Sequence, residues 1–153
     1  MLKRLTSTVI LMATLCYASF SVAQDEVMTY ALAEQAIEAV EASAKENGWN
    51  LTMIVTDSAG VPVMLRRMDG ASSRTYDIAT RKAMTVIASG MTTGEYGAKL
   101  QAGEVEEIEN GITFAGGVPV FRDGELIGAI ATSGARAAED EIASNAGVAA
   151  IGN

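Results

Sequence analysis

The chain has no histidine and a single cysteine, Cys16, among its 153 residues. Those shortages exclude a Ser-His-Asp triad, a Cys-His pair, a histidine-ligated zinc and a histidine-ligated haem. Cations are also few. Eleven Lys+Arg stand against 19 Asp+Glu, a net charge of −8. The overall field therefore repels nucleic acid and anionic lipid, and no nucleic-acid partner is expected. Only 5% of the residues are aromatic, while 49% are apolar and 20% charged. That balance suits one globular α/β-type domain rather than a disordered, collagenous or coiled-coil chain. Neither a Walker loop nor a dinucleotide fingerprint is present.

The longest apolar stretch lies at the start. Lys3 and Arg4 precede an apolar run over residues 5–20, followed by the small-x-small site Ser21-Val22-Ala23. The run is interrupted by Thr6, Ser7, Thr8 and Thr14, and a spanning helix needs about 20 predominantly apolar residues. Residues 1–23 therefore read as a cleavable secretory signal peptide and residues 24–153 as one domain, periplasmic or secreted, with no membrane attachment after cleavage. Cleavage removes Cys16 with Lys3 and Arg4. The remaining chain has no disulfide and no thiolate for zinc, and it is long enough to bury a core without them.

Apolar Ala33, Ile37, Val40 and Ala44, with Glu34, Glu38, Glu41 and Lys45 opposite, predict an amphipathic helix over 29–45, capped by Thr29 and stopped at Gly48. Residues 51–57 and 61–68, joined by Ser58-Ala59-Gly60, read as a hairpin, with Pro62 near the start of its second strand. Ser72 or Ser73 caps a second helix whose face is Tyr76, Ala79, Ala83, Val86 and Gly90. Residues 92–111 read as a short helix and a loop. Asp123-Gly124 between two β-type runs is the best hairpin signal in the chain, and residues 136–151 form the last helix. Strands joined by tight turns are antiparallel, so the expected class is α+β.

Several groups are candidates for chemistry. Arg66-Arg67-Met68-Asp69-Gly70-Ala71 puts two guanidinium groups and a carboxylate at a strand-to-helix junction, where an anion is readily held; spacing alone favours an internal Arg-Asp pair that shapes the turn. Lys82 lies one position off the apolar face of its helix, a placement that favours solvent over a pocket. Asp140 and Glu141 are its possible partners across the fold. Gly116-Gly117 and Thr132-Ser133-Gly134 are places where backbone approaches a ligand or makes a tight turn. Glu104, Glu106, Glu107 and Glu109 lack the pattern of a calcium loop and read as a solvated face.

Taken together, Ile54-Val55-Thr56-Asp57 with Gly60, Arg67-Met68-Asp69-Gly70-Ala71, Asp77-Ile78-Ala79, Lys82-Ala83, Thr85 and Thr92 resemble the GlcG/HbpS-like family, which includes the C-terminal domain of PduO-type corrinoid adenosyltransferases. The second half agrees through Gly116-Gly117-Val118-Pro119-Val120, Asp123-Gly124, Ile127-Gly128-Ala129-Ile130, Ser133-Gly134-Ala135, Asp140-Glu141 and residues 146–150. The resemblance implies a profilin-like fold, an antiparallel sheet of about five strands flanked by helices. It also implies a homo-oligomer and, as in some exported members, a small-molecule ligand such as haem or a related tetrapyrrole. The matching motifs nominate Arg67, Asp69, Gly70, Lys82, Thr92, Gly117, Ser133 and Asp140 as ligand-binding. Without histidine, iron would be left to Met, Tyr, Lys, a carboxylate or a threonine, with Met68 and Tyr76 nearest the junction, and Arg66, Arg67 and Lys82 available for propionates. The alternatives are an enzyme acting on a small organic acid, with Arg67 as clamp and Lys82 with Asp140 or Asp69 moving protons, and an accessory structural oligomer.

Overall fold

A computed structural model describes residues 27–152; the proposed signal peptide and Cys16 lie outside them. Four helices and four strands follow one another as α1 (Tyr30–Asn47), β1 (Thr52–Asp57), β2 (Pro62–Arg67), α2 (Arg74–Ser89), α3 (Thr93–Ala102), β3 (Gly117–Arg122), β4 (Glu125–Ser133) and α4 (Ala137–Ile151). The sheet has the order β2-β1-β4-β3, and every neighbouring pair is antiparallel. The α+β class is as expected, but the sheet has four strands rather than about five. Residues 111–116 do not join it. Ile112 donates its N–H to Thr85 Oγ1 at 2.9 Å, and the missing side chain of Gly97 lets the backbone of Thr113 lie directly against α3. Its first residues are held by the helices and its last, Gly116, accepts the N–H of Thr132 in β4 at 2.9 Å, so this stretch serves as a strap.

Local chemistry explains the element ends. Thr29 accepts a hydrogen bond from Leu32 N at 3.2 Å, and Gly48 closes α1 in the left-handed region at φ 71°, where a residue with a side chain is strained. Asp57 Oδ1 accepts the N–H groups of Ala59 and Val61 and so ties the first hairpin. In the second hairpin Asp123 and Gly124 both have positive φ, 50° and 83°, the pairing that matches the twist of the strands.

The sheet separates two apolar layers. On one side α1 and α4 cover Met53, Val55, Val118, Val120 and Ile130, with Ala33, Ile37, Val40 and Ala44 of α1 fully buried. On the other, Ala79, Ala83 and Val86 of α2 pack against Ile54, Ala129 and Ala131. Of the expected face of α2, Ala79, Ala83 and Val86 are fully buried, but Tyr76 is 54% exposed, and Thr75, Lys82 and Thr85 are buried as well. Thr75 Oγ1 meets Thr52 Oγ1 at 2.7 Å and Thr85 Oγ1 holds the strap; polar groups, absent from an apolar count, widen the buried face.

Candidate functional site

The chemistry-bearing side chains gather at one end of the sheet, in two places. The first is where β3 begins and β4 ends. Lys82 reaches from α2, Asp140 from α4 on the opposite face, and their charged groups meet beside Gly116, with Nζ to Oδ2 at 2.8 Å. Lys82 also donates to the Thr132 carbonyl at 2.9 Å, and its ammonium lies 5.1 Å from the centre of the Phe114 ring. The side chains of Lys82 and Asp140 are 0% and 4% exposed. Helical spacing favoured solvent for Lys82, and the structure overturns that. The length of the lysine carries its charge past the apolar face to a partner it meets only across the sheet.

The sequence prepares this meeting with glycine. A Cβ on Gly116, at φ 124°, would stand 2.2 Å from Lys82 Nζ and 2.7 Å from Asp140 Cβ. One on Gly117 would press on Thr93 and on the backbone of Lys82 itself. The two glycines therefore admit the ion pair and the helix. Around them the hydrogen bonds are nearly complete. Asp140 Oδ1 accepts from Ala135 N at 3.0 Å, Thr132 Oγ1 donates to the Asp140 carbonyl at 2.6 Å, Ser144 Oγ donates to the Gly116 carbonyl at 2.9 Å, and Thr93 Oγ1 accepts from Gly117 N at 3.0 Å. Burial pulls the Lys82 ammonium below its usual range and pushes the Asp140 carboxyl above its own, each partly offset by the charge of the other. Such a pair is held by geometry and hydrogen bonds, since desolvation opposes the attraction.

The second place is the corner after β2. Arg67 Nη1 donates to the Ala71 carbonyl at 2.8 Å, and Arg66 pairs with Glu41 of α1, which also binds Lys45 at 2.6 Å. The turn is thus held by a backbone carbonyl, and the expected Arg-Asp pair is not what shapes it. A groove of about 360 Å³ remains open, lined by Glu41, Lys45, Arg66, Arg67, Met68 and Asp69. Gly70, at φ 86°, takes the turn conformation and leaves room for the Asn50 side chain. Hydrogen bonds from Lys45 and then Arg66 hold the Glu41 carboxyl below its usual range.

Of the nominated residues, Lys82, Asp140 and Gly117 come together at the ion pair, and Arg67, Asp69 and Gly70 at the corner. Ser133, buried at the end of β4, pairs with Thr52, which in turn pairs with Arg67. The two places are therefore about two strand spacings, roughly 10 Å, apart. Thr92 is the N-cap of α3, accepting from Glu95 N at 3.1 Å; its neighbour Thr93 is the one that reaches the site. Thr93, Phe114 and Ser144 were missed. Only Ser144 had a signal, standing four residues after Asp140 on one helix face. Tyr76 lies exposed on α2 and is not among the residues that line the groove. Among the described residues no cluster of His, Cys, Asp or Glu is arranged to hold a metal ion, and no helix is long and apolar enough to cross a membrane.

The profile of a family described as "Haem degrading protein HbpS-like" matches residues 28–149. An uncharacterised 15.0 kDa protein of Citrobacter freundii, from the dhaT-dhaS intergenic region, is 31% identical over 125 residues, which is 78% of this chain and 88% of the relative. Protein GlcG of Escherichia coli K12 is 28% identical over 109 residues, 70% of this chain and 81% of GlcG. Among solved structures, Streptomyces reticuli HbpS, determined as a double mutant, superposes with a TM-score of 0.77 at 29% identity, covering 94% of this chain and all 100% of that one. A PduOC:heme complex shares the fold, with a TM-score of 0.76 at 24% identity over 82% of this chain and 95% of that one.

Proposed function

We propose, from the premise that the chain belongs to the HbpS-like family, that it binds haem or a related tetrapyrrole without histidine ligation, in the groove at the corner after β2. The observation that carries this reading is the groove itself: three cations, Lys45, Arg66 and Arg67, outnumber two carboxylates, Glu41 and Asp69, and share the lining of one opening with Met68. Its volume is at the small end for ligand sites, so it accepts the carboxylate-bearing edge of a macrocycle. Arg67 suits a propionate best. One of its five N–H donors goes to Ala71, and the planar fork matches a carboxylate. Lys45 and Arg66 already share Glu41, and a propionate would compete for them.

The donor set fits the periphery of the ligand better than its iron. Met68 packs against the core beneath the groove, where it supplies an apolar wall. Lys82 is committed to Asp140 and Thr132 and is unsuited to a propionate. When bound, haem supplies redox chemistry at its metal; the residues here supply counter-charges and apolar contact. The reading is tested by titrating purified protein with haemin. A saturable shift of the Soret band at micromolar haemin supports it, and a spectrum that remains that of free haemin overturns it.

The same proposal includes export and self-association. The basic start, apolar run and Ser21-Val22-Ala23 of the sequence support cleavage of a leader; intact mass of protein recovered from the periplasm checks this. Val61 in the turn before β2, Leu65 of β2, and Tyr76 and Met84 of α2 are 57%, 40%, 54% and 46% exposed, and large exposed side chains grouped on one side of the sheet support an interface between copies. Light scattering coupled to size exclusion gives the oligomer mass. The enzyme alternative has less support, because its clamp, Arg67, lines the groove with Asp69, whereas Lys82, the proton carrier in either version, is buried against Asp140 at the other place.

A further inference from the structure

Arg66 and Arg67 stand side by side at the end of β2, and neighbouring residues of a strand point to opposite faces. The groove they border therefore offers two cationic seats rather than one. The seats differ in what already occupies them. Arg67 gives one N–H to the Ala71 carbonyl and pairs with no carboxylate among the described residues. At Arg66 a carboxylate is already seated. Glu41 reaches in from α1 with a side chain 20% exposed, one oxygen on Arg66 and the other on Lys45, the latter at 2.6 Å. Asp69, the second carboxylate of the lining, is exposed and joins no ion pair among the described residues.

We propose that Glu41 is an internal stand-in for a ligand carboxylate, and that the groove thereby selects ligands with two carboxylates on one edge. The first binds at Arg67, and the second displaces Glu41 from Arg66 and Lys45. The inference rests on the tetrapyrrole reading of this groove and adds the rule by which ligands are chosen. Charge supports it. Three cations against two carboxylates leave the lining one positive charge in excess, which balances one ligand carboxylate and no more. A second carboxylate therefore needs a cation that Glu41 now holds. Displacement is within reach, because Lys45 and Arg66 keep 65% and 41% of their side chains in solvent and exposed pairs are weak. A ligand with a single carboxylate leaves Glu41 in place, since the Arg67 seat is open.

The test titrates haemin and its monomethyl ester into the wild type, Glu41→Gln and Asp69→Asn, two variants of equal net charge. Haemin should bind Glu41→Gln about fivefold to tenfold tighter than the wild type, because two exposed ion pairs no longer have to be broken. The ester, with one carboxylate, should gain less than about twofold. Asp69→Asn should gain less than Glu41→Gln, and Glu41→Ala, which leaves no amide on the cations, should match Glu41→Gln. Unchanged haemin binding by Glu41→Gln overturns the proposal. Equal gains for haemin and the ester, or for Glu41→Gln and Asp69→Asn, overturn it as well, since net charge alone then governs binding. These failures leave the tetrapyrrole reading standing. A Soret shift in none of the proteins overturns both, and a shift in Glu41→Gln and Glu41→Ala alone upholds the stand-in.

Discussion

The corner after β2 and the crossing point beside Gly116 are built from the same residue types and behave in opposite ways. At the corner, Lys45 and Arg66 keep 65% and 41% of their side chains in solvent and share one carboxylate. At the crossing, Lys82 keeps none. Exposed pairs contribute little to stability and leave their cations available to a ligand, whereas a buried pair is expensive to break and unavailable. A cation's use therefore follows from where its backbone puts it. In the proposed function the corner serves binding, and the crossing fastens α2 and α4 to the end of the sheet.

The strongest way to break this contrast is to remove one half of the buried pair. Lys82→Met leaves Asp140 buried without its partner, and urea denaturation should show a loss of about 3–5 kcal/mol. Pairing it with Asp140→Leu should restore most of that loss, because the uncompensated charge goes too. Gly116→Ala forces a methyl into the ion pair at a positive φ, with an expected cost of about 2–3 kcal/mol in the same assay. Arg66→Ala sharpens the contrast from the other side: stability should change by less than about 1 kcal/mol, while haemin affinity falls severalfold.

The smallest effect is one of sign with pH. Glu41 has a depressed pKa in the folded state, so its contribution is present above the ordinary glutamate value of 4.5 and is lost as pH falls through the folded value. Asp140 has a raised one. The folded chain keeps that proton where the unfolded chain, at 3.8, has released it, so this group's contribution declines as pH rises through the interval. Stability measured across the acid range should lose part of its rise with pH in Glu41→Gln and gain slope in Asp140→Asn.

Much of the architecture was legible because it rests on local chemistry. Thr29, Gly48, Asp57 and Asp123-Gly124 each act on residues a few positions away, and each does what its type predicts. What escaped was set at long range. The strap at residues 111–116 has the composition of a strand, but Thr85 and Gly97 hold its backbone from other elements. Lys82 looked one step misplaced on an apolar face because Asp140, its reason for being there, is 58 residues away. Gly116 and Gly117 were visible as a place of close approach, but only the fold shows that the approaching group is the chain's own lysine. Phe114 and Thr93 carry no pattern that marks them.

The division of labour between the two places is tested most directly by titrating haemin into Arg67→Ala and the Lys82→Met/Asp140→Leu double variant side by side with the wild type. The account predicts a saturable Soret shift in the wild type, about tenfold weaker in Arg67→Ala, where roughly 1.4 kcal/mol of charge-assisted contact is lost, and unchanged in the double variant. Equal titrations of Arg67→Ala and the wild type, or a loss confined to the double variant, would contradict it.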